Sequence, residues 1–468
     1  MRWSVLWMTI VLTAAATAQN ESWVHADFRR EGERVADACS FESLGSIGSC
    51  AYTLFTDHPL HIAAGSMPPQ NGFGLGLAYV ATRNTANWRM SWDVDAVGAT
   101  SGSWRAGGYL KLIHTPVQPI TVSTGDSSGT GAKKHQVRVH PFTAYNLYAQ
   151  AISLNKLNYF GPGNDSSTLD ASVFGMTQTI VGANVTKPVF ELPALNWWNL
   201  SLFGEANGRF VSIRGASSSS VASIQLLYND ATAPGLSSQP AFAQLGEGVR
   251  IKPVIGDHLE LNYSGKLEEF VAPSNSQNTF ERWTVDLNHT FYLYGYTQSG
   301  PKTGNMTGPD ECAPSGQKCP EVSRSRNRNG SVGVRLFLSE SMNSFSKVPF
   351  YFQPTLGGQD IDSNLTLPSY QDYRFRAPNL LLLQETFEHS IWGPLGVKFQ
   401  ADEGRVAVMR SDIGFNHFRH SYAAGFTLRA GGFPMVSMMF AWGGPEGHHN
   451  IFNMNSSLLG GGARPLLD

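Results

Sequence analysis

Charge is scarce in this chain. Asp, Glu, Lys and Arg make up 15% of its 468 residues, against roughly 25% in an ordinary soluble domain. The signs nearly cancel, 34 basic against 36 acidic residues for a net charge of −2, and no Lys/Arg block stands out. A nucleic-acid partner is therefore not expected. Cysteine is also rare: Cys39, Cys50, Cys312 and Cys319 are the only four, each in polar Gly/Ser/Pro-rich surroundings. Three connectivities exist in principle, but proximity favours disulfides Cys39–Cys50 and Cys312–Cys319, closing two small loops in an oxidising compartment. No Cys-x-x-Cys pair occurs and no His stands at ligand spacing from these cysteines, so neither a metal nor another cofactor is expected. Long hydrophobic runs are missing too. Beyond the first residues no uncharged apolar run approaches the roughly 18 to 20 residues of a spanning helix. One candidate, Ala377 to Leu383, ends at Gln384 and Glu385. Any passage through a membrane must then be made by a closed sheet, the other way to satisfy backbone groups in lipid.

Glycine and aromatic residues, by contrast, are plentiful, at 48 Gly and 11% Phe, Trp and Tyr, a balance that favours turns and strands. The first residues show Arg2, an apolar stretch from Trp3 to Leu12, and Ala16-Thr17-Ala18 before Gln19. Residues 1–18 thus have the form of a secretory signal peptide, and the mature chain is expected to leave the cytoplasm.

The strongest signal is alternation. In "NWRMSWDVDAV" Trp88, Met90, Trp92 and Val94 fall on one face of a strand, and Arg89, Ser91, Asp93 and Asp95 on the other. Leu259, Leu261, Tyr263 and Leu267 oppose Glu260, Asn262, Ser264, Lys266 and Glu268 in the same way, and Trp283, Val285, Leu287, Phe291 and Leu293 oppose Arg282, Thr284, Asp286, Asn288 and Thr290. A soluble sandwich could carry this pattern with its apolar faces inward. Charge on the polar faces and aromatics near strand ends (Trp88, Trp104, Trp197, Trp198, Tyr292, Tyr294 and Tyr296) favour the inverse arrangement. The expected fold is all-β: a transmembrane antiparallel β-barrel of about 16 strands, over residues 71–468, with lipid around it. Candidate strands run from 72–82 to 449–459, among them 87–98, 239–254, 327–341, 345–357 and 372–389. On this count 115–135 and 297–326 are long outer loops, while 215–238 is a long connection where a short turn is expected. Residues 19–70 form an N-terminal periplasmic or plug-like segment, too short for a string of folded periplasmic modules.

Residues 353–391, "QPTLGGQDIDSNLTLPSYQDYRFRAPNLLLLQETFEHSI", and 393–408, "GPLGVKFQADEGRVAV", carry a recognisable order. Leu356-Gly357-Gly358, Tyr373-Arg374-Phe375-Arg376 and Asp402-x-Gly404-x-Val406 follow one another, and "NYFGPGNDSS" stands at 158–167. This series resembles the barrel of the outer-membrane protein assembly factor superfamily, the BamA/TamA-type or bacterial surface antigen proteins, without their periplasmic polypeptide-transport-associated modules. The resemblance covers the last third of the chain well and the earlier barrel loosely. It implies the outer membrane of a Gram-negative-type bacterium. It also implies a non-enzymatic role in inserting or transporting protein or lipid, with unfolded outer-membrane or secreted polypeptide as partner, and a weak seam between first and last strands. A long sixth loop would enter the lumen. Its family tip, an Arg-Gly-aromatic, reads here Pro368-Ser369-Tyr370, so the Arg that would meet Asp402 is gone; another cation or water must take its place, with Arg374 and Arg376 as candidates. The alternative is a passive diffusion pore or structural barrel with a degenerate gating loop.

Other patterns have plainer readings. "GDSSG" at 125–129 matches a nucleophile elbow around Ser127 but lies in a polar stretch without strand-then-helix context, so no catalytic residue is assigned. His417, His420, His448 and His449 have no carboxylate or Cys set at ligand spacing. Asn184, Asn262, Asn288 and Asn329 begin Asn-x-Ser/Thr triplets, but Asn262 and Asn288 sit on polar strand faces. "GFGLGL" at 72–77 has no following helix to make a phosphate cradle.

Overall fold

The computed structural model describes residues 23–39, 59–115, 142–192, 198–216, 221–255, 258–295, 326–430, 433–454 and 464–467. The expected signal peptide at 1–18, Ser127 and Cys50, Cys312 and Cys319 lie outside these residues, and with them both expected disulfide pairings.

One antiparallel sheet dominates. Its strands are β1 (Leu60–Ser66), β2 (Phe73–Asn84), β3 (Trp88–Ala99), β4 (Trp104–His114), β5 (Thr143–Tyr159), β6 (Ser172–Leu192), β7 (Trp198–Gly215) and β8 (Phe242–Lys252, resumed at Val254–Ile255). They continue with β9 (Leu259–Val271), β10 (Phe280–Gly295), β11 (Arg326–Ser341), β12 (Asn379–Trp392), β13 (Leu395–Ala407), β14 (Arg419–Ala430), β15 (Phe433–Gly444) and β16 (Gly447–Met454). Pro253, which has no N–H to donate, interrupts β8, and both pieces pair with β9. Each strand pairs with its neighbours in sequence, from β1–β2 through β15–β16. Strands β1 and β16 approach within 8 Å between Cα atoms, yet no ladder joins them among the described residues.

The polarity is inverted relative to a soluble protein. Leu75, Leu77, Val94, Leu147, Phe210 and Phe440 are exposed on the outer face, while Asp93, Asp95, Arg105, Gln150, Gln178 and Arg209 are buried on the inner one. A sheet that hides its charges and displays its leucines suits a lipid surround and a polar lumen. Aromatics collect at both rims: Trp88 with His114 and Tyr145 at one, Tyr422 with Trp442 at the other. Tyr292 does not join them; it turns inward and donates to Glu260 Oε2 at 3.0 Å. Trp197 and Tyr296 lie outside the described residues.

The strand count agrees with expectation, but two positions do not. Residues 345–357 are not a strand; they form turns of 3₁₀ helix at Phe345–Lys347 and Phe350–Phe352, then a two-residue strand Thr355–Leu356 paired with Phe375–Arg376. Pro349 and Pro354 cut that stretch as a ladder strand. The missing strand is β1, ahead of the boundary expected at residue 71. Strand parity shifts accordingly: the 216–241 connection lies at the same end as the 342–378 loop, so its length is no anomaly. His114 and Thr143, and Gly295 and Arg326, lie at the end opposite to the 342–378 loop, so 115–135 and 297–326 are not outer loops on the same side as that loop. Ahead of β1, helix α1 (Trp23–Ala38) is fastened where Leu60 N–H donates to Glu31 Oε1 at 3.1 Å.

Candidate functional site in the lumen

The connection from β11 to β12 folds back into the barrel. Its base is tied by Asn379, whose Oδ1 accepts from Ser341 N–H at 3.1 Å and whose amide donates to Ala407 O at 3.0 Å. Phe350 and Phe352 then pack on the inner wall, edge to face with Phe174 (5.1 Å) and Phe242 (5.1 Å). Gly357 and Gly358 have φ of +101° and +60°, values that L side chains rarely adopt. A Cβ at Gly357 would sit 2.5 Å from Arg374 Cβ, so only glycine lets the two limbs close. Gly404 serves the same packing from the wall, since a Cβ there would meet Leu356 Cδ1 at 2.8 Å.

The tip is fixed to four successive strands. Gln384 on β12 donates to Leu365 O at 3.0 Å. On β13, Asp402 Oδ2 accepts from Leu367 N–H at 2.7 Å and from Gln400 at 2.8 Å. Ser369 N–H donates to Ser421 Oγ on β14 at 2.7 Å, and Ser369 Oγ accepts from Gly444 N–H on β15 at 3.1 Å. Pro368 is buried between these anchors, and Tyr370 lies 5.1 Å from Phe375, ring to ring. Burial lifts the Tyr370 hydroxyl and the neighbouring Asp372 carboxyl above their ordinary ranges, and the Gln359 N–H at 3.0 Å partly counters the latter.

Neither arginine takes the role expected of it. Asp402 takes a backbone N–H and an amide on its Oδ2 in place of a cation, whereas Arg374 pairs with Glu446 and donates to Ser166 Oγ at 2.7 Å. Arg376 donates to Phe350 O at 2.7 Å. The physical reason is reach: both arginines follow the return limb of the loop to the "FGPGNDS" turn, where Gly163 N–H donates to Arg376 O at 2.8 Å. Gly161 and Gly163 hold that turn at φ near +90° and +91°. Arg419 closes the same corner by donating to Asp165 at 2.9 Å.

The opposite wall is an ionic ladder. Glu268 receives Lys266 at 2.7 Å and Arg282 at 3.4 Å, and Lys266 also reaches Glu205 at 3.0 Å. Beside it lies a cavity of about 280 Å³, bordered by Arg282, Asp286, Arg335 and Asp362 among others. The histidines are scattered: His420 on β14, His448 stacked on Phe440 at 5.3 Å, His449 next to it, and His417 in a connection. Sequence reasoning missed Asn71. Its Oδ1 accepts from Ser103 Oγ (2.8 Å) and Asn155 N–H (2.9 Å), knotting three strand ends. Its only sequence signal is an Asn at a Pro-Pro-Gln-Asn-Gly turn.

No family model matches this chain, and no curated protein does. Among solved structures it is similar to CdiB from Acinetobacter baumannii, with TM-score 0.44 and 9% identity over 84% of this chain and 58% of that one. CdiB from Escherichia coli gives 0.46 and 10%, over 85% and 62%. The chain therefore spans less than two thirds of the CdiB structures it resembles. BamA from Haemophilus ducreyi lacking POTRA domains 1–3 gives 0.41 and 10%, over 85% and 70%. At that distance the barrel assignment stands on the chain's own ladder and inverted polarity.

Proposed function

We propose that this chain is an outer-membrane β-barrel that takes part in inserting or transporting polypeptide or lipid at the outer membrane, with β1 and β16 as a lateral seam. The observation that carries this reading is the contrast in pairing. Every other neighbouring pair shares a ladder, whereas β1, seven residues long, pairs with β2 alone among the described residues. An unpaired strand edge is a template for an incoming strand. The sixth-loop set Gly357, Gly358, Pro368, Ser369, Tyr370, Arg374, Arg376, Asp402 and Gly404 serves as the internal brace against which such a seam would open.

The first test is electrophoretic mobility of the protein from an outer-membrane fraction, with and without boiling. A heat-dependent shift supports the barrel; soluble periplasmic protein without a shift refutes it. Val94→Arg sharpens the test. On a lipid face it costs about 2–4 kcal/mol of barrel stability, measured by urea unfolding in vesicles; at an ordinary solvated position the change stays within about 0.5 kcal/mol. Depletion that slows the assembly of other barrels supports the assembly role. Steady conductance with unaltered assembly assigns a diffusion pore instead.

A further inference from the structure

A second segment enters the lumen, and it comes from far along the chain. Arg464–Leu467 lies across the inner wall, contacting β3, β6, β7 and the sixth loop. Arg464 Nη2 meets Asp95 Oδ2 at 2.8 Å, and Asp95 also receives Arg105 at 3.1 Å. Leu467 has both halves of its peptide link taken up by side chains: its N–H donates to Asp362 Oδ1 at 2.9 Å. Its carbonyl accepts from Gln178 Nε2 at 3.0 Å and Arg209 Nη1 at 3.1 Å. Gln178, Arg209 and Asp95 are no more than 2% exposed, and all three are aimed at this segment. The Leu467 side chain joins the buried cluster of Phe242, Phe270 and Phe352, and Leu466 walls the cavity of about 280 Å³.

We propose that Arg464–Leu467 is a peptide ligand of the barrel's own lumen, seated in a cradle built for an extended Arg-Pro-Leu-Leu segment, and that it acts as a releasable strap across the conduit. Three features support release rather than permanent packing. The hold is mostly polar and side-chain-to-backbone, so water can replace it. Its apolar anchors are few, the Pro465 ring and the Leu467 side chain, since Leu466 is left 56% exposed. Pro465 restricts Arg464 to extended backbone, which lowers the ordering cost of re-docking. The inference rests on the barrel reading above, and the two can fail separately.

The experiment compares the full chain with a variant lacking 464–468, both reconstituted in vesicles and planar bilayers, and adds the labelled synthetic peptide Arg-Pro-Leu-Leu-Asp. The truncated barrel is expected to bind the peptide and the full chain to bind it at least about tenfold more weakly, because its own tail competes. A peptide with Ala for Arg loses about threefold to fivefold in affinity, the cost of one ion pair whose carboxylate keeps a second cation. Steady conductance of the truncated barrel is expected to exceed that of the full chain and to fall when peptide is added. Should truncation abolish the heat-dependent mobility shift, Arg464→Ala in the full chain replaces it, since it loosens the segment and leaves the cradle intact; it must raise conductance and peptide binding. A full chain that never inserts overturns the outer-membrane reading. One that inserts, while no variant gains peptide binding or conductance, overturns the strap alone.

Discussion

The sixth loop and the Arg464–Leu467 strap both lie in the lumen, and they are held by different physics. The loop brings Phe350, Phe352, Leu356, Leu367, Tyr370 and Phe375 out of water, each at most 3% exposed. It then spends its polar groups on wall strands that are already laddered. The strap buries Pro465 and one leucine and relies on two carboxylates, an amide and two arginines. Burying a large apolar side chain is worth roughly 1.5–3 kcal/mol, against about 0.5–1.5 kcal/mol net for a typical hydrogen bond. The loop is thus a fixed part of the barrel, and the strap is the part built to leave.

The largest effect expected from breaking this contrast is at Gly357. Gly357→Val places a branched side chain at φ +101° against Arg374; strain of about 1–3 kcal/mol adds to the clash. The expected outcome is loss of the heat-stable form on unboiled gels, and retention of it would show that the hairpin is dispensable. Phe350→Ala comes next. It empties a site touching Tyr159 and Phe174 at ring distances of 5.3 and 5.1 Å, at a cost of about 3–5 kcal/mol in urea unfolding. A cost below that of a surface change would mean the aromatic plug is loosely packed. Asp402→Ala leaves the buried Leu367 N–H without its acceptor, for about 1–3 kcal/mol. Pre-existing barrel pairing stays intact, so the loss should appear first as proteolysis within the loop.

Much of this was legible in the sequence, and the misses have physical causes. Long strands with strong contrast between faces, such as β3 and β10, announce themselves because period-two alternation needs only composition to be seen. Strand β1 did not: "LHIAAGS" alternates in burial, but Ala63, Ala64, Gly65 and Ser66 give little hydrophobic contrast. Conversely "FSKVPFYFQP" imitates a strand because its aromatics are packed by the surrounding wall, not by alternation along a ladder. The loop's glycines were legible as a motif, and their reason, close approach of two limbs, is tertiary. The partner of Asp402 was misjudged because charge complementarity suggested a cation where a backbone N–H arrives at shorter range. Arg464–Leu467 carries no periodicity, so nothing local could place it in the lumen.

The smallest expected effect on stability is at Arg464, and it is the one that separates the two segments most sharply. Arg464→Ala removes a contact to Asp95, but Asp95 keeps Arg105 at 3.1 Å, so no carboxylate is stranded. The loss in unfolding free energy should stay near that of a partly exposed ion pair, below about 1 kcal/mol, whereas Asp402→Ala exceeds it. In conductance the order reverses. The loop variant leaves the strap in place, while Arg464→Ala frees the segment that crosses the conduit. A barrel in which Arg464→Ala destabilises as much as Asp402→Ala, with conductance unchanged, would have two structural braces and no strap.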